Sequence, residues 1–76
     1  MIFTYKVTQQ VHYIGDDRIV FYGIAVYDKT DSLTLIKDFN DISTDQAAIE
    51  NLVKRCNHGK LSVIHIDEVI EDFLAN

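Results

Sequence analysis

The sequence predicts an α+β fold: a three-stranded antiparallel β-meander followed by two α-helices packed on one sheet face. Three observations lead there. The first half alternates apolar and polar residues, the second half spaces its apolar residues helically, and short turn-forming clusters separate the extended stretches. A parallel arrangement would need long crossover segments, and none lies between the extended stretches.

The first strand begins at Phe3. Phe3, Tyr5, Val7, Val11 and Tyr13 share one parity and Thr4, Lys6, Thr8, Gln10 and His12 the other, so the two sets take opposite faces. Gly15-Asp16-Asp17 supplies turn chemistry. Residues 18–27 are rich in β-branched and aromatic side chains and apolar on both parities, the pattern of a central strand. Asp28-Lys29-Thr30-Asp31 marks the second turn and residues 33–39 a shorter third strand.

Two-residue loops in both hairpins place Tyr13 opposite Val20, Val11 opposite Tyr22 and Val26 opposite Leu33. One face then collects Phe3, Tyr5, Val7, Val11, Tyr13, Val20, Tyr22, Ile24, Val26, Leu33, Leu35 and Phe39. A three-residue first loop would invert the pairing. Gly23, inside the central strand, predicts a bulge or a close backbone approach.

Ser43 and Gln46 have the spacing of a capping box, and Asp45 suits the positive end of a helix. Ile49, Leu52, Val53 and Cys56 form the apolar stripe of the first helix, with Glu50 and Lys54 paired outside and Gly59 as a left-handed stop. Ser62 is placed to cap the second helix. Its buried stripe is Val63, Ile66, Val69, Ile70, Phe73 and Leu74, and Asp67, Glu68, Glu71 and Asp72 form its wet side.

Seventy-six residues make one small domain, 1–76, and 47% apolar content with eight aromatic residues supports a true core. A net charge of −5, with the seven basic residues scattered, disfavours nucleic acid as a partner, because phosphate binding rests on clustered positive charge. Cys56 is the only cysteine and forms no internal disulfide. No signal-peptide pattern and no bilayer-length apolar run is read, which points to a reducing, cytoplasmic setting without membrane contact.

Several stretches resemble a family of small uncharacterised bacterial proteins from Clostridia and related Firmicutes. The residues that carry this are Tyr22-Gly23-Ile24, Asp41-Ile42-Ser43, Leu52-Val53 with Cys56-Asn57, Leu61-Ser62, His65-Ile66 and the run Val69-Ile70-Glu71-Asp72-Phe73-Leu74. The resemblance implies a bacterial, cytosolic domain of unknown function and carries over no catalytic residue.

Chemistry-bearing constellations are sparse. Cys56 and His58 lie two apart on a helix and do not face one another, so Cys56 reads as a buried, inert thiol. His65, Glu68 and Asp72, at i, i+3 and i+7, could form half of a carboxylate–histidine metal site, against the simpler reading of a solvated acidic face. Asp16/Asp17 and Glu71/Asp72 sit in wet contexts unsuited to acid–base work, and three isolated glycines make no phosphate cradle.

The face away from the helices is the more suggestive surface. Ile19, Phe21, Tyr27 and Ile36 would form an apolar patch there, framed by polar residues. The function read from sequence is therefore a non-enzymatic protein-interaction or regulatory module without a cofactor, self-associating or docking a protein through that face or a sheet edge. The alternative is a small-ligand or metal-binding domain using the acidic last helix with His65.

Overall fold

A computed structural model describes residues 2–30, 32–59 and 61–75, with the side chain of Val63 left aside. The elements are β1 (Phe3–Ile14), β2 (Asp17–Asp28), β3 (Thr34–Ser43), α1 (Gln46–His58), a 3₁₀ turn (Val63–His65) and α2 (Ile66–Ala75). The strands form one antiparallel sheet in the order β1-β2-β3, with β2 central, as the alternation predicts.

The first hairpin closes one residue earlier than expected. Gly15, at φ 61°, and Asp16 form its two-residue loop, and Ile14 stands opposite Asp17. A glycine with positive φ at the first loop position is the requirement of a II′ hairpin turn. Tyr13 therefore faces Arg18 and Val11 faces Val20, a shift of two residues that leaves every face assignment of this hairpin intact.

The second hairpin departs further. Its loop is longer than two residues: Asp28 pairs with Thr34, and the Asp28 carboxylate accepts from the Thr30 N–H (2.9 Å) and hydroxyl (2.6 Å). Asp31, read as part of this turn, lies outside the described residues. The pairing Val26–Leu33 is replaced by Val26–Lys37, with Tyr27 opposite Leu35 after a register shift. Leu33 and Leu35, expected beneath the helices, are consequently exposed; Leu35 keeps 51% of its surface. The long loop and the shift, neither encoded by hydrophobic parity, move β3 out of the expected frame.

Gly23 meets both of its expectations. The β2–β3 register shifts between Tyr22 and Ile24, and β3 runs on to Ser43, beyond the predicted end at residue 39. A Cβ at Gly23 would collide with the Phe39 carbonyl oxygen and lie 2.9 Å from Thr8 Oγ1. Across from this gap Asp41 adopts φ 56°, a left-handed conformation that Asp tolerates better than most residues.

The start of α1 corrects the capping box. Asp45 is the N-cap, its carboxylate accepting from the Ala48 N–H at 3.1 Å. Ser43 Oγ instead accepts from the Asp45 N–H, and Gln46 Nε2 donates to Glu50 rather than reaching back. Ser43 is held as the last residue of β3, too far out to cap. Gly59 caps the other end in a right-handed conformation (φ −79°), not the expected left-handed one, and the Leu61 N–H returns to the Cys56 carbonyl.

Ile49, Leu52, Val53 and Cys56 are all buried, as the stripe predicts. From the last helix Ile66 and Ile70 reach the same core, with Val69 and Phe73 beside them, while Leu74 stays exposed. The remaining core is Tyr5, Ile24 and Val26, flanked by Phe3, Val7, Tyr22 and Phe39. Full burial of each of Ile24, Ile49 and Ile66 contributes about 1.5–3 kcal/mol. Both helices thus cover one sheet face, at the end that carries Tyr5 and Val26.

The cover stops short of the hairpin tip. Val11, Tyr13 and Ile14 are exposed, Tyr13 to 72% and Ile14 to 64%. The molecule measures 44 × 29 × 17 Å, longer in one direction because of this overhang.

Candidate functional site

The face opposite α1 and α2 is free of helix, and so is the part of the outer β1 edge beyond Tyr5. The open face is built by parity. Thr4, Lys6, Thr8, Gln10 and His12 of β1 stand opposite Tyr27, Ala25, Gly23, Phe21 and Ile19 of β2. Of the expected contact residues, Ile19, Phe21 and Tyr27 lie here and are half-buried. Ile36 falls within the β3 register shift, exposed, with no opposite residue on β2.

The two aromatic rings are engaged within the chain. The His12 imidazole meets Phe21 edge-on (centroids 5.3 Å apart, 85° between planes), and Lys6 Nζ lies 5.5 Å from the centre of the Tyr27 ring. Ala25, between Lys6 and Asp38 on the neighbouring strands, is buried.

A polar bridge crosses this face above Gly23. His12 Nε2 lies 2.8 Å from Asp41 Oδ1, the Asp41 N–H donates to Gln10 Oε1 (2.9 Å), and Gln10 Nε2 donates to Thr8 Oγ1 (2.9 Å). The two edge strands thereby touch over the middle one, which only a glycine at position 23 permits. Sequence reasoning placed none of this network. The available signal was Asn40-Asp41, a dipeptide suited to left-handed backbone just past the expected end of the third strand.

A carboxylate-oriented imidazole is part of a nucleophile-activating array. Here the array stops at two members: among the described residues the ring pairs with Asp41 and packs edge-on against Phe21, and no hydroxyl or thiol is hydrogen-bonded to it. Both partners are about half exposed, so bulk water screens the pair.

The β1 edge is treated differently along its length. At Tyr5 it is closed by α1: Asn57 Oδ1 accepts from the Tyr5 N–H (2.8 Å) and Asn57 Nδ2 donates to the Tyr5 carbonyl (2.9 Å). The side-chain amide thus takes the place of one residue of a neighbouring strand. The Tyr5 hydroxyl donates to the Leu61 carbonyl at 2.6 Å, fixing the turn after α1. Burial raises the Tyr5 phenol pKa, with the nearby Cys56 adding to the effect. Beyond Tyr5, the main-chain groups of Val7, Gln9, Val11 and Tyr13 point the same way, by the alternation of antiparallel pairing. Among the described residues they have no partner.

The remaining candidates fall apart in space. Cys56 is buried, its thiol pKa raised by that burial and lowered only in part by Arg55, while His58 is exposed at the helix end. His65 Nδ1 lies 3.8 Å from Glu68 Oε2 in an exposed pair. Asp72 instead lines a cleft between the helices with Leu52, Arg55 and Phe73. Among the described residues no group of three His, Cys, Asp or Glu side chains is close enough to hold a metal ion. An open cleft of about 670 Å³ lies between the start of β1 and the α1–α2 connection, with Lys29, Asn57 and Ser62 in its lining.

The sequence profile of a family of unknown function, DUF6514, matches residues 1–76. The chain belongs to this family. No curated protein and no solved structure matches the chain. What marks this DUF6514 domain, on its own geometry, is a sheet covered on one face with half of one edge left bare. No helix among the described residues is long and apolar enough to cross a membrane.

Proposed function

We propose that this DUF6514 domain is a non-enzymatic protein-interaction module of the bacterial cytoplasm, engaging another chain through the bare part of its sheet. The observation that supports this most is the outer half of the β1–β2 hairpin. It projects past the helices with its edge unpaired and Val11, Tyr13 and Ile14 in solvent. Unpaired strand edges bind extended chains through main-chain hydrogen bonds, and flanking apolar side chains supply selectivity. Ile19, Phe21, Tyr27 and Ile36 lie on or beside the adjoining open face and would widen the contact. A lone buried thiol suits a reducing compartment.

Two variants test the reading. One carries Phe21→Ala with Tyr27→Ala, the other Val11→Ser with Tyr13→Ser, each first checked for an intact helical signal. Self-association and capture of proteins from a native lysate are compared with the parent. Loss in the first variant assigns the contact to the open face, and loss in the second assigns it to the edge. If both variants associate and capture as the parent does, the sheet is not the binding surface.

A further inference from the structure

We infer that the bare stretch of β1, Val7 to Tyr13, pairs antiparallel with the same stretch of a second copy, about a two-fold axis at Gln10. This rests on the interaction reading above and names its partner.

The two sheet edges are protected differently. The β3 edge has two register shifts, a left-handed Asp41 and the charges of Lys37 and Asp38, devices that discourage pairing. β1 has none of these between Val7 and Tyr13: it is in regular register with β2 over its full length, without proline or bulge. Asn57 closes β1 at Tyr5, and the hairpin turn at Gly15 ends it. The open length is therefore bounded on both sides.

Symmetry selects the register. Val7, Gln9, Val11 and Tyr13 present outward main-chain groups, and these four positions are symmetric about Gln10. An axis there pairs Val7 with Tyr13 and Gln9 with Val11 of the other copy, using all four. An axis at Gln9 would drive Tyr13 against the Asn57 plug at Tyr5, and an axis at Val11 would leave Val7 facing the turn.

Charge selects the partner. The chain carries −5, so two copies repel unless they meet where carboxylates are absent. Val7-Thr8-Gln9-Gln10-Val11-His12-Tyr13 contains no carboxylate. In this register Lys6 stands opposite Ile14 of the second copy, in line with its Asp17 and beside Asp16, so the acidic turn meets a cation. On the helix side the exposed Tyr13 ring covers Val7 of the other copy. The helices of each copy lie toward Tyr5, so the two helical layers sit at opposite ends of a shared six-stranded sheet.

The test combines mass and register. Sedimentation of the parent from about 1 µM to about 1 mM, the span in which small interfaces associate, should show a reversible dimer. Val11→Pro removes an N–H that points away from β2, leaving the internal ladder whole, and should weaken the dimer about tenfold or more. Gln10→Cys should oxidise to a disulfide-linked dimer, because residues facing at the axis lie about 4.5 Å apart between Cα atoms. Thr8→Cys and His12→Cys should cross-link with each other when mixed, and neither efficiently with itself. The parent, whose Cys56 is buried, is the control. A monomer throughout, with no Gln10→Cys cross-link, overturns the inference. A dimer indifferent to Val11→Pro and without that cross-link also overturns it, yet leaves the broader reading to its own two variants.

Discussion

Replacing Asn57 by alanine removes a side chain that is exposed overall and still holds the first strand to the helix. The parent amide makes two hydrogen bonds to Tyr5, at 2.8 and 2.9 Å, both partly buried. Each is worth about 0.5–1.5 kcal/mol net, and water can reach part of the vacated site, so the expected loss is about 1–2 kcal/mol. In a domain of this size that lowers Tm by about 4–16 °C. Urea unfolding followed by circular dichroism measures the free energy directly, with an unchanged slope expected because the exposed surface is the same.

Asn57→Asp sharpens the test. The introduced carboxylate can accept from the Tyr5 N–H but faces the Tyr5 carbonyl with an oxygen that donates nothing. Protonation restores the donor, so the folded-state pKa of the new group lies above its unfolded value near about 3.9. The corresponding stability is present below that pH and lost as pH rises through the folded pKa. Asn57→Asp should therefore recover relative to the parent on acidification, while Asn57→Ala should not. An alanine variant within about 0.5 kcal/mol of the parent, the range of an inconsequential surface change, would mean that the amide does not hold the strand.

Other perturbations probe the remaining joints. Gly23→Ala should cost about 3 kcal/mol or more in urea unfolding, because its Cβ strikes the main-chain oxygen of Phe39 and not a side chain able to move. Asp45→Ala should cost about 1 kcal/mol as a lost N-cap, and Ser43→Ala distinctly less; the reverse order would restore the capping box. Tyr5→Phe loses the 2.6 Å bond to the Leu61 carbonyl and should cost about 1 kcal/mol or somewhat more. The raised pKa of Cys56 makes stability fall as pH climbs above the unfolded thiol value of about 8.5, since the unfolded chain releases that proton first. Cys56→Ala should flatten that alkaline slope in unfolding curves taken at successive pH values.

The site was less legible than the fold, for reasons visible in particular residues. Ile19, Phe21 and Tyr27 could be assigned to the open face because side-chain parity in β2 is local information. Ile36 was assigned to the same face by the same parity, but it falls at a shift in β3 that no alternation encodes and has no opposite residue on β2. Asn57 reads in the sequence as the last turn of an amphipathic helix. Its amide becomes an edge plug only because α1 crosses β1 at Tyr5, 52 residues earlier in the chain. The contact of His12 with Asp41 spans 29 residues and needs Gly23 between them.

The order of elements, the central place of β2, the buried stripe of α1 and the irregularity at Gly23 were legible in the chain, because periodicity, turn chemistry and helix spacing act over a few residues. The tertiary structure alone decided how far the helices cover the sheet, where β3 slips, and which part of the β1 edge stays open. Those depend on distances between segments far apart in the chain, where a one-residue change in register alters what is buried without changing any local preference.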